Sequence, residues 1–112
     1  MNDAARHIVK ARESLGFARY ALAGEYTEEA GRSAYMAAYH AALAFTAARS
    51  GKSPRTHSGA RSEFARLARE EPRVSREQIS LLHAWRANRD ERTLEALLAT
   101  VNAIAGGLKT TG

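Results

Sequence analysis

This chain has no cysteine, so thiolate chemistry is excluded. Its four histidines and its arginines are the side chains that could form a catalytic pair. Arg76 and His83 are separated by six residues, close to two helical turns, so a helix would place both side chains on one face. That geometry suits a general base beside a positive group. In a chain with 14 arginines and four histidines, chance alone would produce at least the one such pair that is found. Arg76 and His83 are therefore weak catalytic candidates. We expect His83 to be a partly buried, hydrogen-bonded histidine.

Two further histidines could serve as a general base or a metal ligand, His40 in an apolar stretch and His57 in the loop after it. No carboxylate or second histidine stands at ligand spacing to either, so we predict no metal site and no cofactor. We expect His40 to be a core or interface histidine bound to a backbone carbonyl, and His57 to help cap the following helix. Tyr35 and Tyr39, one helical turn apart, are predicted to form a dimer interface together with His40.

Positive charge is concentrated in the middle of the chain. Residues 49–76 hold eight basic and three acidic side chains, whereas the segments on either side are neutral, so this segment accounts for the whole net charge of +5. Arginine dominates the segment, and its planar fork suits phosphate oxygens. We predict a surface for nucleic acid or an acidic protein partner, formed by Arg55, Arg61, Arg66, Arg69 and Arg73. A solvated basic face without a partner is the open alternative.

Helical periodicity runs through the chain and predicts the elements that position these residues. The first helix ends before Gly24, and the apolar positions predicted for its buried face are Ala4, Ile8, Ala11, Leu15, Ala18 and Leu22. The second runs from an N-cap at Thr27 to about Ser50. The third begins after Pro54 and buries Ala60, Phe64, Leu67 and Ala68, and a Ser75/Gln78 capping box opens the fourth. The fourth carries Ile79, Leu82 and Trp85, and the fifth carries apolar residues from Leu94 to Leu108.

The central helix is apolar on nearly every side from Ala34 to Ala48, so it must be covered on nearly every side. We therefore predict an all-α, up-and-down bundle of four to five helices. It would be one domain, residues 1–112, with an ordered core of about 3–108, and it would form a homodimer. The polar N-terminus shows no secretory pattern and no stretch suits a membrane span, so a cytoplasmic protein is expected.

Two segments of the sequence carry a resemblance to a known family. The run A-G-R-S-A-Y-M-A-A-Y-H-A-A, residues 30–42, and the loop P-R-T-H-S-G-A, residues 54–60, resemble the second helix and the following loop of the HEPN family. Within it, the chain looks like the small stand-alone branch of bacterial and archaeal proteins. The resemblance covers about residues 4–108 and implies the family's bundle of four to five helices.

Many HEPN proteins are metal-independent ribonuclease toxins that dimerise so that two copies of an R-x4-6-H motif meet in one cleft. They are often paired with a small nucleotidyltransferase antitoxin. The resemblance makes Arg86 the counterpart of that arginine and a weak catalytic candidate. The histidine is missing, because positions 91 to 93 are Glu, Arg and Thr. Asp90 stands in register with the alanine-aspartate-tyrosine ending of the stand-alone branch, but its neighbours differ. Arg86 also falls on the apolar stripe of the fourth helix, so it would need an acidic or phosphate partner.

The sequence thus favours a binding or regulatory member of a toxin-antitoxin or nucleotidyltransferase-associated pair. Such a protein would form a homodimer and have RNA or a nucleotidyltransferase-type protein as its partner. An active endoribonuclease and a plain oligomerisation domain remain the alternatives. An enzyme is the less favoured of these, since the ribonuclease motif is absent after Arg86.

Overall fold

The computed structural model describes residues 3–51, 54–79 and 99, and every regular element in that part of the chain is helical. Three long helices are present, α1 (Asp3–Ala23), α2 (Thr27–Ser50) and α3 (His57–Arg69), and a single turn, α4 (Arg76–Ile79), follows. The all-α class is confirmed. The predicted count of four to five bundle helices is not confirmed, because Leu82, Trp85 and, apart from residue 99, positions 94–108 lie outside the described residues.

Helix α1 lies against α2 through a stripe of small and apolar residues that recur every three or four positions. The predicted positions Ala4, Ile8, Ala11, Leu15 and Ala18 are all buried. The last predicted position is wrong: Leu22 is 41% exposed, and Ala21 is buried instead. Helical spacing alone does not explain this exchange, because Leu22 stands four residues after Ala18 and seven after Leu15, on the same stripe.

The turn between α1 and α2 closes with a Schellman motif. Tyr26 N–H donates to the Ala21 carbonyl at 2.8 Å, and Glu25 N–H donates to the Leu22 carbonyl at 3.0 Å. Glu25 is therefore the left-handed residue of the turn, with φ 67°, whereas Gly24 stands one position before it. A glycine is still favoured at 24, because a Cβ there would lie 3.0 Å from the Tyr26 ring.

Helix α2 begins one residue away from the predicted cap and ends where predicted. Tyr26 is the N-cap and makes no side-chain capping bond, so the predicted Thr27 N-cap is wrong and Thr27 is the first helical residue. Glu28 and Glu29 lie in the first turn, where their negative charges interact favourably with the positive end of the helix dipole. At the other end Gly51 adopts the left-handed conformation common after a helix. Its N–H donates to the Ala47 carbonyl at 2.8 Å.

The core forms around the second half of α2, as the apolar run at 34–48 predicts. Residues 41–46 are all buried, with α1 on one side and α3 on another. Phe45 meets Phe64 of α3 edge to face, with ring centroids 5.5 Å apart, an arrangement that aromatic pairs favour. Thr46 is fully buried, and its hydroxyl has no hydrogen-bond partner in the described part of the chain.

Helix α3 is capped by Thr56, whose side-chain oxygen accepts from Gly59 N–H at 2.9 Å. The buried face predicted for this helix is confirmed residue by residue: Ala60, Phe64, Leu67 and Ala68. The capping box also forms, since Ser75 N–H donates to the Gln78 side chain and Gln78 N–H donates to Ser75 Oγ. Among the helices described, none combines the length and the hydropathy that a bilayer crossing requires.

Candidate nucleic-acid interface

The solvent side of α3 is polar and basic. With Ala60, Phe64 and Leu67 turned inward, the opposite side presents an open groove of about 540 Å³. The groove is lined by Ser58, Arg61, Ser62, Ala65 and Arg69. Arg61 and Arg69 are both exposed. Eight residues of helix separate them by about 12 Å along the axis. Two cations with hydroxyls between them can contact two phosphates of one strand.

Two arginines of the predicted surface are already neutralised within the chain. Arg66 forms an ion pair with Glu63 one turn before it, and this bond raises the pKa of the Arg66 guanidinium. Arg73 binds Glu71 with two guanidinium nitrogens, Nε at 3.2 Å from Oε2 and a terminal nitrogen at 2.8 Å from Oε1. Two-point contacts of this kind are among the stronger hydrogen bonds in proteins. These arginines therefore contribute less free charge than the sequence predicts.

Glu71 is the buried counter-charge of this region. Its side chain is 5% exposed, and it also accepts from Arg49 at 3.5 Å. The side-chain bond from Arg73 is the main cause that lowers the pKa of the Glu71 carboxyl, and burial opposes it. A buried carboxylate with two arginines is stable only while both stay in place, so Arg49 and Arg73 are structural residues.

Three residues of the predicted surface remain available. Arg55, Arg61 and Arg69 are exposed, and none has an ion-pair partner among residues 3–51 and 54–79. Arg55 lies in the loop just before α3, three residues ahead of Ser58 in the groove. Arg76 is also exposed, at the start of α4. The interface predicted with five arginines thus reduces to three.

His40 has a histidine partner that the sequence analysis missed. The Nδ1 atoms of His7 in α1 and His40 in α2 are 3.0 Å apart, and the rings stack at 5.2 Å. The expected bond of His40 to a backbone carbonyl is therefore replaced by a bond to this ring. The two histidines are far apart in sequence, but His7 lies between the buried positions Ala4 and Ala11 at helical spacing, a signal that could have identified it.

Burial lowers the pKa of both His7 and His40. The positive charge of Lys10 lowers the pKa of both histidines further. A proton on His7 also lowers the pKa of His40, because two positive charges would then lie close together. Both rings are therefore neutral at pH 7, with one Nδ1–H donating to the other Nδ1. This pair connects α1 to α2 without a net charge.

His57 lies on a layer of tyrosines. Its ring stacks on Tyr39 at a centroid distance of 4.3 Å and an angle of 17°, and Tyr35 lies 6.3 Å from both rings at 11° to 17°. The Tyr35 hydroxyl lies 3.5 Å from His57 Nδ1. Thr56 rather than His57 caps α3, so the capping role expected of His57 is wrong. The histidine instead joins α3 to α2.

The remaining predicted residues divide into two groups. Tyr39 is 8% exposed within one chain, so a dimer interface at this place would use mainly Tyr35 and His40, and that interface stays a prediction. His83 and Arg86 lie outside the described residues. In the described part of the chain, no three histidine or carboxylate side chains are placed to hold a metal ion.

An all-α protein with an arginine-lined helix face is the class that this fold and surface define. Comparison with protein families identifies it further: a family model for the HEPN domain matches residues 4–100. The chain belongs to the HEPN family. No curated protein and no solved structure matches it.

Proposed function

We propose that this HEPN protein binds RNA through Arg55, Arg61 and Arg69, and that it acts as a binding or regulatory component. The observation that carries the proposal is the unequal pairing of the arginines around α3. Ion pairs neutralise Arg66 and Arg73, whereas the three arginines on and beside the groove have no internal partner in the described residues. Unpaired arginines on one helix face are an electrostatic footprint of phosphate binding.

Membership of the HEPN family also suggests which kind of protein complex would contain this RNA-binding protein. We propose that the protein belongs to a toxin-antitoxin or nucleotidyltransferase-associated pair, with a nucleotidyltransferase-type protein as its partner, because many members of the HEPN family occur in such pairs. The basic groove would then be the RNA contact of that assembly. Co-expression with a neighbouring nucleotidyltransferase, followed by purification through a tag on one component, tests the association.

RNA binding is tested by titrating a labelled structured RNA with the purified protein at several salt concentrations. Wild type should shift the RNA, and the affinity should fall steeply as salt rises. The double variant Arg61→Gln/Arg69→Gln removes two phosphate contacts, so the slope of log affinity against log salt should become shallower by about 1.4 to 1.8.

The chain offers a matched control for this experiment. Lys10→Gln/Arg12→Gln removes the same charge from exposed sites on α1, away from the groove, and neither residue has an ion-pair partner among the described residues. If contact at the groove matters, this variant keeps the salt slope of the wild type. Equal loss in both double variants would show that net charge alone holds the RNA, and would overturn the proposed interface.

A further inference from the structure

We infer that His57 forms a stacking site for an unpaired RNA base at the start of the arginine face. The inference deepens the proposed function and rests on it, because the site needs RNA held on α3. The observation that carries it is the exposed His57 ring lying flat on Tyr39, beside Arg55 and Arg61 in the chain.

The ring is held in place from below and from the side. Tyr39 is nearly buried and packs in the core, so it cannot move away from the histidine above it. Tyr35 lies in a nearly parallel plane, with its hydroxyl 3.5 Å from His57 Nδ1. A side chain fixed in this way loses little rotational freedom when a base stacks on it.

Sequence position connects this ring to the arginines. His57 and Arg61 are four residues apart in α3, so they are neighbours on one helix face. Arg55 lies two residues before His57, and Ser58 begins the groove directly after it. A backbone phosphate bound by Arg61 or Arg55 therefore brings its own nucleotide within reach of the His57 ring.

The arrangement selects for unpaired RNA. Bases inside a duplex are stacked on one another, so their faces are not available to a side chain on the outside. A single strand can turn one base out onto an aromatic ring while its backbone follows the cationic groove. The sparse aromatic content of residues 49–76 gave no sign of this, because the tyrosines that support His57 come from α2.

The test compares a single-stranded 12-nucleotide RNA with a duplex of the same length, using an RNA labelled with 2-aminopurine to report stacking. Wild type should bind the single strand more tightly and change the 2-aminopurine fluorescence. His57→Leu still covers Tyr39 but has no aromatic face, so its affinity for the single strand should fall at least about fivefold. His57→Phe restores the ring and should restore both affinity and fluorescence change.

The salt dependence separates this inference from the proposed function. His57→Leu should keep the salt slope of the wild type, since it removes no phosphate contact. If the leucine variant keeps the wild-type affinity and fluorescence change, the base site is wrong while the arginine interface stands. If wild type binds neither RNA, both are overturned. Circular dichroism of each variant checks that the helices are intact.

Discussion

His7 and His40 show how a contact between two helices can depend on a single proton. The pair carries no net charge between α1 and α2 while both rings are neutral. The charged residues of α1 that act on His7 are Lys10 and Arg6, both positive, and Asp3, which is paired with Arg6. From α2 the Tyr39 ring meets His40 edge to face, and on α3 the nearest titratable ring is His57, which stacks on the same tyrosine. A proton added to either ring therefore enters a positive neighbourhood.

Stability should fall as the pH drops below about 6.5, the ordinary pKa of histidine in the unfolded chain. Burial lowers the pKa of His7 and His40 in the folded protein, so below this pH the unfolded chain takes up protons that the folded one does not. The free energy of unfolding therefore has its highest contribution from this pair above the ordinary histidine pKa. That contribution decreases as the pH falls from there through the lowered pKa values of the folded protein. Urea denaturation at pH 7.5 and pH 5.5 measures the difference.

The double variant His7→Gln/His40→Gln is the control for this pH dependence. It should lose less stability between the two pH values than the wild type, because it has removed the two histidines whose pKa is lowered by burial. Glu71 does not interfere, since its pKa is lowered from 4.5 and it stays ionised at pH 5.5. A wild type whose urea midpoint is the same at both pH values would contradict the assignment.

The turn between α1 and α2 contains the clearest mismatch between residue type and backbone conformation. Glu25 adopts φ 67°, whereas Gly24 beside it needs no positive φ. Such a conformation costs an L-residue about 1–2 kcal/mol. Glu25→Gly should therefore stabilise the protein by about 0.5–1 kcal/mol, after the greater flexibility of glycine in the unfolded chain is subtracted. Thermal unfolding followed by circular dichroism measures the gain.

Glu25→Ala separates backbone strain from charge. Alanine removes the carboxylate but keeps the Cβ that causes the strain, so it should not give the gain of glycine. A gain of equal size in both variants would assign the effect to the charge of Glu25. Loss of stability in Glu25→Gly would contradict the strain argument.

At the scale of elements, most local signals were predictable, but the N-cap of α2 and the left-handed residue of the turn before it were not. The buried face of α3 and the Ser75/Gln78 capping box follow from short-range spacing, and both are confirmed. The stop at Gly24 is confirmed, since α1 ends at Ala23, whereas the Thr27 cap differs from the structure by one residue because the Schellman bonds from Glu25 and Tyr26 fix the turn. Those bonds depend on backbone geometry that residue type alone does not specify.

For the whole molecule, the sequence located the positive charge, and the ion pairs that neutralise Arg66 and Arg73 join near neighbours, Glu63 and Glu71. What the sequence could not show is that Glu71 is buried and also contacts Arg49, 22 residues away. The histidine and tyrosine contacts have the same origin, since His7, Tyr39 and His57 come from three different helices. Contacts of this range are set by how the helices pack, and a single sequence carries no periodic signal for them.

Binding without cleavage is the outcome we expect when the whole protein is incubated with RNA in the absence of metal. With Arg86 as its arginine, the R-x4-6-H motif of HEPN ribonucleases would need a histidine at 91, 92 or 93, and none is there. In the described part of the chain, His7 and His40 are tied to each other and His57 stacks on Tyr39, so none is joined to an arginine as a catalytic pair. Gel electrophoresis of the labelled RNA over several hours should show intact substrate for wild type, Arg86→Ala and His83→Ala alike. Cleavage by the wild type that either substitution abolishes would make the protein an endoribonuclease that uses Arg86 or His83.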